Sequence, residues 1–462
     1  MGIVPLLVFF SQTPRWLYPT RRCQNVLEFL SLAGARQLAA NAYLLRGPWG
    51  EVLIEAGASL PKDVTWLEKL ERAPDVVLLT HAHADHIGAL PDLLERYPGQ
   101  QTFASKGTRD LSRVALDGLL RARGVDKQIA SQRADAIASC VRSIPMMRPV
   151  SLPIADQQQA SATLTLYPCG HILGAASMQL DMEFGSKFHT IYFLLDFCAH
   201  AQPLTPRASF PVSSPERPID TLVMESVLAT ERQANDVDYD AELERLLSWV
   251  ERRDGPCLLA LASLGEAPEI AGALLAADHD VLIHEHLEPI VRLWFEEAGR
   301  QLSPGLFASQ GACASALAAG AVVIAPGEHL DQGTPARALV EPLIGLDTAR
   351  IGIMNSLRHR SFAGRLLATK QGRAIKKDRG KRTRHAEIER FILPNHAPRW
   401  ALLGAVRALA PKRVLLVHGQ KKAQGALERA LRDDGYEGEI LIPEIDVPIS
   451  LLDGLGLGVD LG

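Results

Sequence analysis

Short apolar runs separated by glycine dominate residues 25–57. Tyr43-Leu44-Leu45 and Val52-Leu53-Ile54, the second leading into Glu55-Ala56-Gly57, have the spacing of a β-meander. Pro74-Asp75 then introduces Val76-Val77-Leu78-Leu79-Thr80, an uninterrupted apolar run of buried-strand character. His81 follows at once, so a polar cluster is expected at the C-terminal end of a strand. From 108 to 145, Leu, Val and Ala recur among Arg and Asp with helical spacing, and Thr163 to Tyr167 and Ile191 to Leu195 are again strands. Ala201 to Pro218 is rich in Pro and Ser, which places a domain crossing near 212. Beyond it, the strands Thr221 to Met224, Cys257 to Ala260, Val281 to Ile283 and Ala321 to Ile324 alternate with helical segments, the pattern of a separate α/β unit. Arg413 to Val417 is one more buried strand, ending at His418, and an amphipathic helix follows from Ala423 to Arg432.

Composition narrows the picture. With 462 residues, 47% hydrophobic and 22% charged, the chain has the make-up of two or three folded domains and excludes a fibrous or wholly disordered protein. The net charge of -4 gives no global attraction to a polyanion or a membrane surface, so any nucleic-acid footprint must be local. Residues 370–384 hold eight Lys or Arg against one Asp; this segment either lines a cleft or is a solvated loop. The six cysteines, Cys23 among them, lie far apart and are expected to be reduced thiols. Gly2 to Phe10 is about half the length needed to span a bilayer, so no membrane association is expected and the location expected is cytoplasmic.

His81-Ala82-His83-Ala84-Asp85-His86 packs four metal-capable side chains into six residues after a strand. Imidazole and carboxylate suit zinc. Alternation on an extended segment points His81 and His83 to one side, while Asp85 and His86 can turn onto a second ion. The spacing favours a two-metal site over a solvated loop.

This run resembles the His-x-His-x-Asp-His signature of the metallo-β-lactamase superfamily, whose αββα sandwich gathers two zinc ions at one edge. Gly170-His171-Ile172-Leu173-Gly174-Ala175-Ala176-Ser177 is similar to its third motif, Leu195-Asp196-Phe197 to its fourth, and Val417-His418-Gly419 supplies the last histidine. The resemblance implies that His81, His83 and His171 hold one Zn2+, that Asp85, His86 and His418 hold the other, and that Asp196 bridges them. Glu55 stands where the family has an acid that supports the ligand histidines, or is a plain exposed Glu.

Asp196 and His418 are 222 positions apart, and the intervening segment resembles the β-CASP domain of nucleases. The implied architecture is α/β: a metallo-β-lactamase αββα sandwich formed by 1–212 and 391–462, with an inserted β-CASP α/β domain at 213–390. Glu225-Ser226 is similar to the start of that family's motif A, and Gly265, Ala267 and Glu269 to its Gly-Arg-Ala-Gln-Glu helix start. Pro394-Asn395-His396-Ala397-Pro398 stands at motif B. Three departures occur: Val227-Leu228-Ala229 replaces Thr-Tyr-Gly, Glu266 replaces Arg (with Pro268 for Gln), and motif B loses its acid to Pro398. The ligands are kept while the cleft has drifted.

The implied activity is zinc-dependent hydrolysis of phosphodiester bonds, with a hydroxide between two ions as nucleophile. Asp85 is expected at the catalytic centre, and His396, oriented by Glu225, is expected to protonate the leaving oxygen, with His359 and His385 as alternatives. A histidine in the last motif is typical of RNA-acting members, so His418 favours single-stranded RNA over DNA as the partner. The rivals are a DNA nuclease of the same fold and a non-catalytic nucleic-acid-binding subunit. A homodimer and processing-complex partners are both compatible with the sequence.

Overall fold

Strands that are apolar on both faces require covers on both sides, and this chain builds them as layers. The structure, a computed structural model, describes residues 26–59, 63–154, 160–213, 217–252, 255–355, 360–376 and 380–452. Gly2 to Phe10, Cys23, His359 and Lys377 lie outside the described residues. The first sheet is formed by β1 (Glu28–Ala33), β2 (Ala42–Gly47), β3 (Gly50–Ile54), β4 (Val76–Leu78), β5 (Thr102–Ser105) and β6 (Val141–Ile144). The second contains β7 (Val150–Ser151), β8 (Ala160–Pro168), β9 (Ala176–Phe184), β10 (Lys187–Leu194) and β11 (Thr221–Met224). A separate sheet holds β12 (Cys257–Leu261), β13 (Val281–His284), β14 (Phe307–Ala308), β15 (Val322–Pro326), β16 (Arg350–Met354) and β19 (Glu387–Phe391), and β17 (Ala374–Lys376) and β18 (Lys381–Thr383) form a hairpin. The chain then returns: β20 (Arg413–Leu416) and β21 (Glu439–Leu441) join the second sheet, and β22 (Ile449–Ser450) joins the first.

The period-2 alternation of side chains explains the sandwich. Ile191 and Phe193 enter the core between the two sheets, whereas Tyr192 and Leu194 face a second core shared with the helices. Truncating Phe193 to Ala is expected to cost about 3–5 kcal/mol. The helical stretch expected over 108–145 is two helices, Lys106–Ala122 and Lys127–Cys140, parted at Gly124, whose φ of 85° suits glycine, and it ends in β6.

The third sheet runs β14-β13-β15-β12-β16-β19, all parallel. Leu259 and Leu261 pack on one face, Leu258 and Ala260 on the other, so this unit has helices on both sides. Its expected start needs correction. Thr221–Met224 belongs to the sandwich, where β11 pairs in parallel with β10 and β20. A four-residue apolar run carries no local mark of the sheet it will join. The inserted unit therefore departs after β11 and, because β19 is one of its strands, returns beyond Phe391.

Parallel pairing sets the position of the chemistry. Leu194, Met224 and Leu416 are in register, so Asp196, Glu225 and His418 leave the same edge of the sheet one or two residues later. The C-terminal ends of β12, β16 and β19 point to that edge, since the loops after β12 and β19 reach the histidines there. The hairpin β17–β18 sits at the opposite end. His385 and Ala386, which follow it, bond to the Ile344 carbonyl beside the start of β19, roughly a strand length of 15 Å from the edge. Arg382 donates to the Glu341 carbonyl at 3.0 Å and Arg384 to the Thr369 carbonyl, so part of the basic charge of 370–384 fixes the hairpin. The described residues of the segment do not line the edge where the histidines meet, and His385 is equally remote from it.

Candidate metal centre

β4 ends in a buried apolar run, and the chain stays extended through His83 (φ -71°, ψ 150°) before turning into the short helix Ala84–Ile87. This change of conformation sends His81 and His83 one way and Asp85 and His86 another. His171 lies just past β8, after Gly170, whose φ is 77°. His418 also has a positive φ, 40°, an unusual conformation for a side chain of this size and one that concentrates at functional sites.

Two groups of donor atoms result, with Asp196 a member of the first and within reach of the second, and a further set, Asp196 with Glu225 and His396, stands beside them. In the first, His83 Nδ1 is 3.1 Å from His81 Nε2 and 3.0 Å from His171 Nε2, and Asp196 Oδ2 is 3.5 and 3.6 Å from those two Nε2 atoms. In the second, Asp85 Oδ2 is 3.5 Å from His86 Nε2 and 3.7 Å from His418 Nε2, while Asp196 approaches the same nitrogens at 3.4 and 3.0 Å. Donors bound tetrahedrally at about 2.0–2.1 Å stand about 3.3 Å from one another. The spacings therefore fit a metal ion in each group. Hydrogen bonding cannot replace it, because three imidazole nitrogens face one another and His81 Nδ1 is already engaged by Thr80 Oγ1 at 3.0 Å. Asp196 Oδ1 is buried and makes no hydrogen bond among the described residues, although His418 Nε2 is 3.0 Å away.

The protonation states of the first group and of Asp196 agree, whereas that of His86 runs the other way. Burial holds His81, His83 and His171 below the ordinary imidazole pKa, in the neutral form that binds metal. Burial works against the charged form of Asp196, but His418, His396 and His86 outweigh it and keep the carboxyl well below its usual range. For His86, burial is outweighed by Asp85, Asp196 and Glu55, which raise its pKa.

Supporting groups come from both domains. Glu55, fully buried at φ 67°, accepts from Thr80 N at 3.1 Å and lies 3.6 Å from His86 Nδ1; the alternative of an exposed Glu is overturned. The inserted unit supplies carbonyls: Asn395 O accepts from His171 Nδ1 at 2.8 Å, and Leu264 O is 3.5 Å from His83 Nε2. Backbone carbonyls of this kind leave no mark in a sequence. Asn41 was also missed; its Nδ2 lies 3.1 Å from His86 Nε2 and 3.5 Å from Asp85 Oδ2, with Tyr43 OH donating to its Oδ1 at 2.8 Å. Its one signal was a polar residue at the head of an apolar strand.

Glu225 and His396 meet beside this centre. Glu225 Oε1 accepts from Phe197 N at 2.9 Å, and Oε2 is 3.1 Å from His396 Nδ1. His396 Nε2 reaches to 3.8 Å from Asp196 Oδ2. Burial opposes protonation of His396, but Glu225 and Asp196 prevail and its pKa is raised to about 9. His83, Asp85 and His396 are partly exposed, whereas the other ligand-type residues are buried.

Residues 35–121 match the family model of the metallo-β-lactamase superfamily, and residues 383–443 match a Zn-dependent metallo-hydrolase RNA specificity domain. Among curated proteins, the chain is 27% identical over 254 residues to the transcription termination factor FttA of Methanocaldococcus jannaschii, covering 52% of this chain and 38% of that protein. It is 22% identical to the endoribonuclease ysh-1 of Neurospora crassa, over 53% of this chain and 28% of the relative. A third relative, "Probable RNase MJ4" of M. jannaschii, is 24% identical over 55% of this chain and 58% of its own length. The chain thus aligns with less than two thirds of each. A crystal structure of a protein of unknown function from Enterococcus faecalis V583 shares the fold across 92% of this chain and 100% of that one, with a TM-score of 0.59 and 13% identity. Among the described residues no helix is long and apolar enough to cross a membrane. The motif order, the layered sandwich with its inserted unit and both family models support the metallo-β-lactamase superfamily and, within it, the β-CASP family.

Proposed function

We propose that this protein is a zinc-dependent nuclease that hydrolyses phosphodiester bonds in single-stranded RNA. One observation carries the reading: two donor groups converge on Asp196, and a carboxylate-held histidine, His396, stands beside that same residue. The proposed ligands are His81, His83 and His171 for one ion and Asp85, His86 and His418 for the other, with Asp196 between. Five imidazoles and two carboxylates are a donor set suited to zinc. Two such ions supply a nucleophile near neutral pH and neutralise charge on the phosphate oxygens.

The chain's own residues do the rest. Glu225 holds His396 by Nδ1, which leaves the Nε2 proton on the side of Asp196 and the donor groups. When the P–O bond breaks, His396 Nε2 donates its proton to the leaving oxygen and is then reprotonated from solvent. The carbonyls of Leu264 and Asn395 orient His83 and His171, so the inserted unit helps to set the ligands.

RNA is favoured because the matched RNA specificity domain includes both His396 and His418. The relatives named as ribonucleases support the same choice. Cys140, Cys169, Cys198 and Cys313 are free thiols, which suits a reducing cytoplasm. Cleavage of a labelled RNA and of a DNA of the same sequence under single-turnover conditions tests the substrate: faster cleavage of RNA is expected, and cleavage confined to DNA would make the protein a DNA nuclease.

A further inference from the structure

A cavity of about 220 Å³ opens beside His396, between the end of β11 and the ends of β16 and β19. Two of the departures from the family pattern contribute to its wall, although they lie far apart in the chain, Val227 with Leu228 and then Glu266, and Pro394 and Asn395 beside His396 complete it. Differences that converge on one cavity beside the reacting centre bear on what that cavity accepts.

Its polar groups are fixed in advance. Glu266 accepts from Ala262 N at 2.9 Å and from Asn355 Nδ2 at 2.6 Å, which leaves lone pairs on both carboxylate oxygens. Asn355 is held at φ 49°, with its Oδ1 accepting from Leu393 N at 2.9 Å and its carbonyl accepting from Arg390 Nε at 2.8 Å. Arg390 also donates to Gln233 Oε1 at 2.9 Å, so the guanidinium has a set direction. Leu228, Ile392 and Pro394 supply apolar wall. A carboxylate and a guanidinium on an apolar-walled cavity are the means by which unstacked bases are read at their edges.

We infer that this cavity is a base-selecting subsite that takes one unstacked guanine of the substrate, next to the bond being cut. The inference rests on the nuclease reading above. Guanine presents two adjacent donors, N1–H and the N2 amino group, which a carboxylate accepts together, and a carbonyl O6 for Arg390. Adenine and cytosine offer an amino group beside an acceptor that a carboxylate repels, and uracil offers one N–H between two carbonyls. Glu266 in place of Arg thus changes the cavity wall from donor to acceptor.

The test uses the zinc-loaded protein and a set of short single-stranded RNAs that are uniform except for one G, A, C or U at successive positions. Cleavage next to guanine is expected to exceed cleavage next to the other bases by about 5- to 150-fold. Glu266→Gln, which keeps the size of the side chain and an acceptor for Ala262 N, is expected to bring that advantage within about 3-fold while zinc content is unchanged. Equal cleavage at all four bases, a preference for another base, or a guanine preference that survives Glu266→Gln would overturn the inference. If no RNA is cut at all, the nuclease reading fails, and the subsite is judged separately by calorimetric titration with guanosine, adenosine, cytidine and uridine 5′-monophosphates. Selective, Glu266-dependent binding of the guanine nucleotide then sustains the subsite, and its absence removes it.

Discussion

The metal centre and the cavity beside His396 are neighbours, yet they are built in opposite ways. Each ligand-type residue of the centre follows a buried strand or a glycine turn, so the surrounding segment fixes its position: His81 after β4, Asp196 after β10, His418 after β20. The cavity wall is assembled from four separate stretches, none with a period or spacing of its own. The difference teaches that chemistry can be carried by local pattern at strand ends, while selection of substrate depends on which distant segments the fold happens to bring together.

The sharpest break in this contrast is Asp196→Ala. Both donor groups lose their shared member, so metal content is expected to fall from about two ions per chain to below one, with cleavage dropping to background. Elemental analysis and a cleavage assay on the same sample decide it; retained metal would detach Asp196 from the centre.

His396→Ala comes next, because it removes a group near the metal without removing a donor of either group. Zinc is expected to stay while cleavage falls about 10²- to 10⁴-fold. Glu225→Ala should act in the same direction, and the double variant should lose far less than the product of the two losses. The pH profile adds a sign. His396 works protonated and its pKa is raised to about 9, so the rate should hold through neutrality and fall as pH rises through that value, a limb absent from His396→Ala.

Smaller effects are expected from the supports. Asn41→Ala and Glu55→Ala should each weaken metal binding about 10- to 100-fold, read by competition with a chromophoric chelator. The smallest effect belongs to the basic hairpin. Neutralising Lys376 and Lys381 should leave the slope of log affinity for RNA against log salt unchanged, since each true phosphate contact would lower it by about 0.7.

These residues also mark how far the sequence could be read. His81 to His86 announce themselves within six positions, and the likeness of three later motifs to a known order supplied the rest of the donor set. The pairing of Glu225 with His396, 171 residues apart, was reachable by the same likeness and is present at 3.1 Å. Asn41 was not reachable, because a buried amide at a strand head looks like any turn residue until Asp85 and His86 fold over it. The carbonyls of Leu264 and Asn395 are backbone and carry no residue-type signal. Thr221–Met224 was assigned to the wrong sheet because pairing partners, not local hydrophobicity, decide where a short strand goes. The basic run at 370–384 is conspicuous in the sequence, but its described residues stand at the far end of the inserted sheet, so charge density alone does not locate a cleft.

The most direct test of the central claim is a zinc titration of chelator-treated protein followed by cleavage of a labelled single-stranded RNA. Cleavage should be absent after chelation, return as zinc is added and reach a plateau at about two ions per chain. RNA left intact by the fully zinc-loaded chain, or cut undiminished in the presence of chelator, would contradict the account.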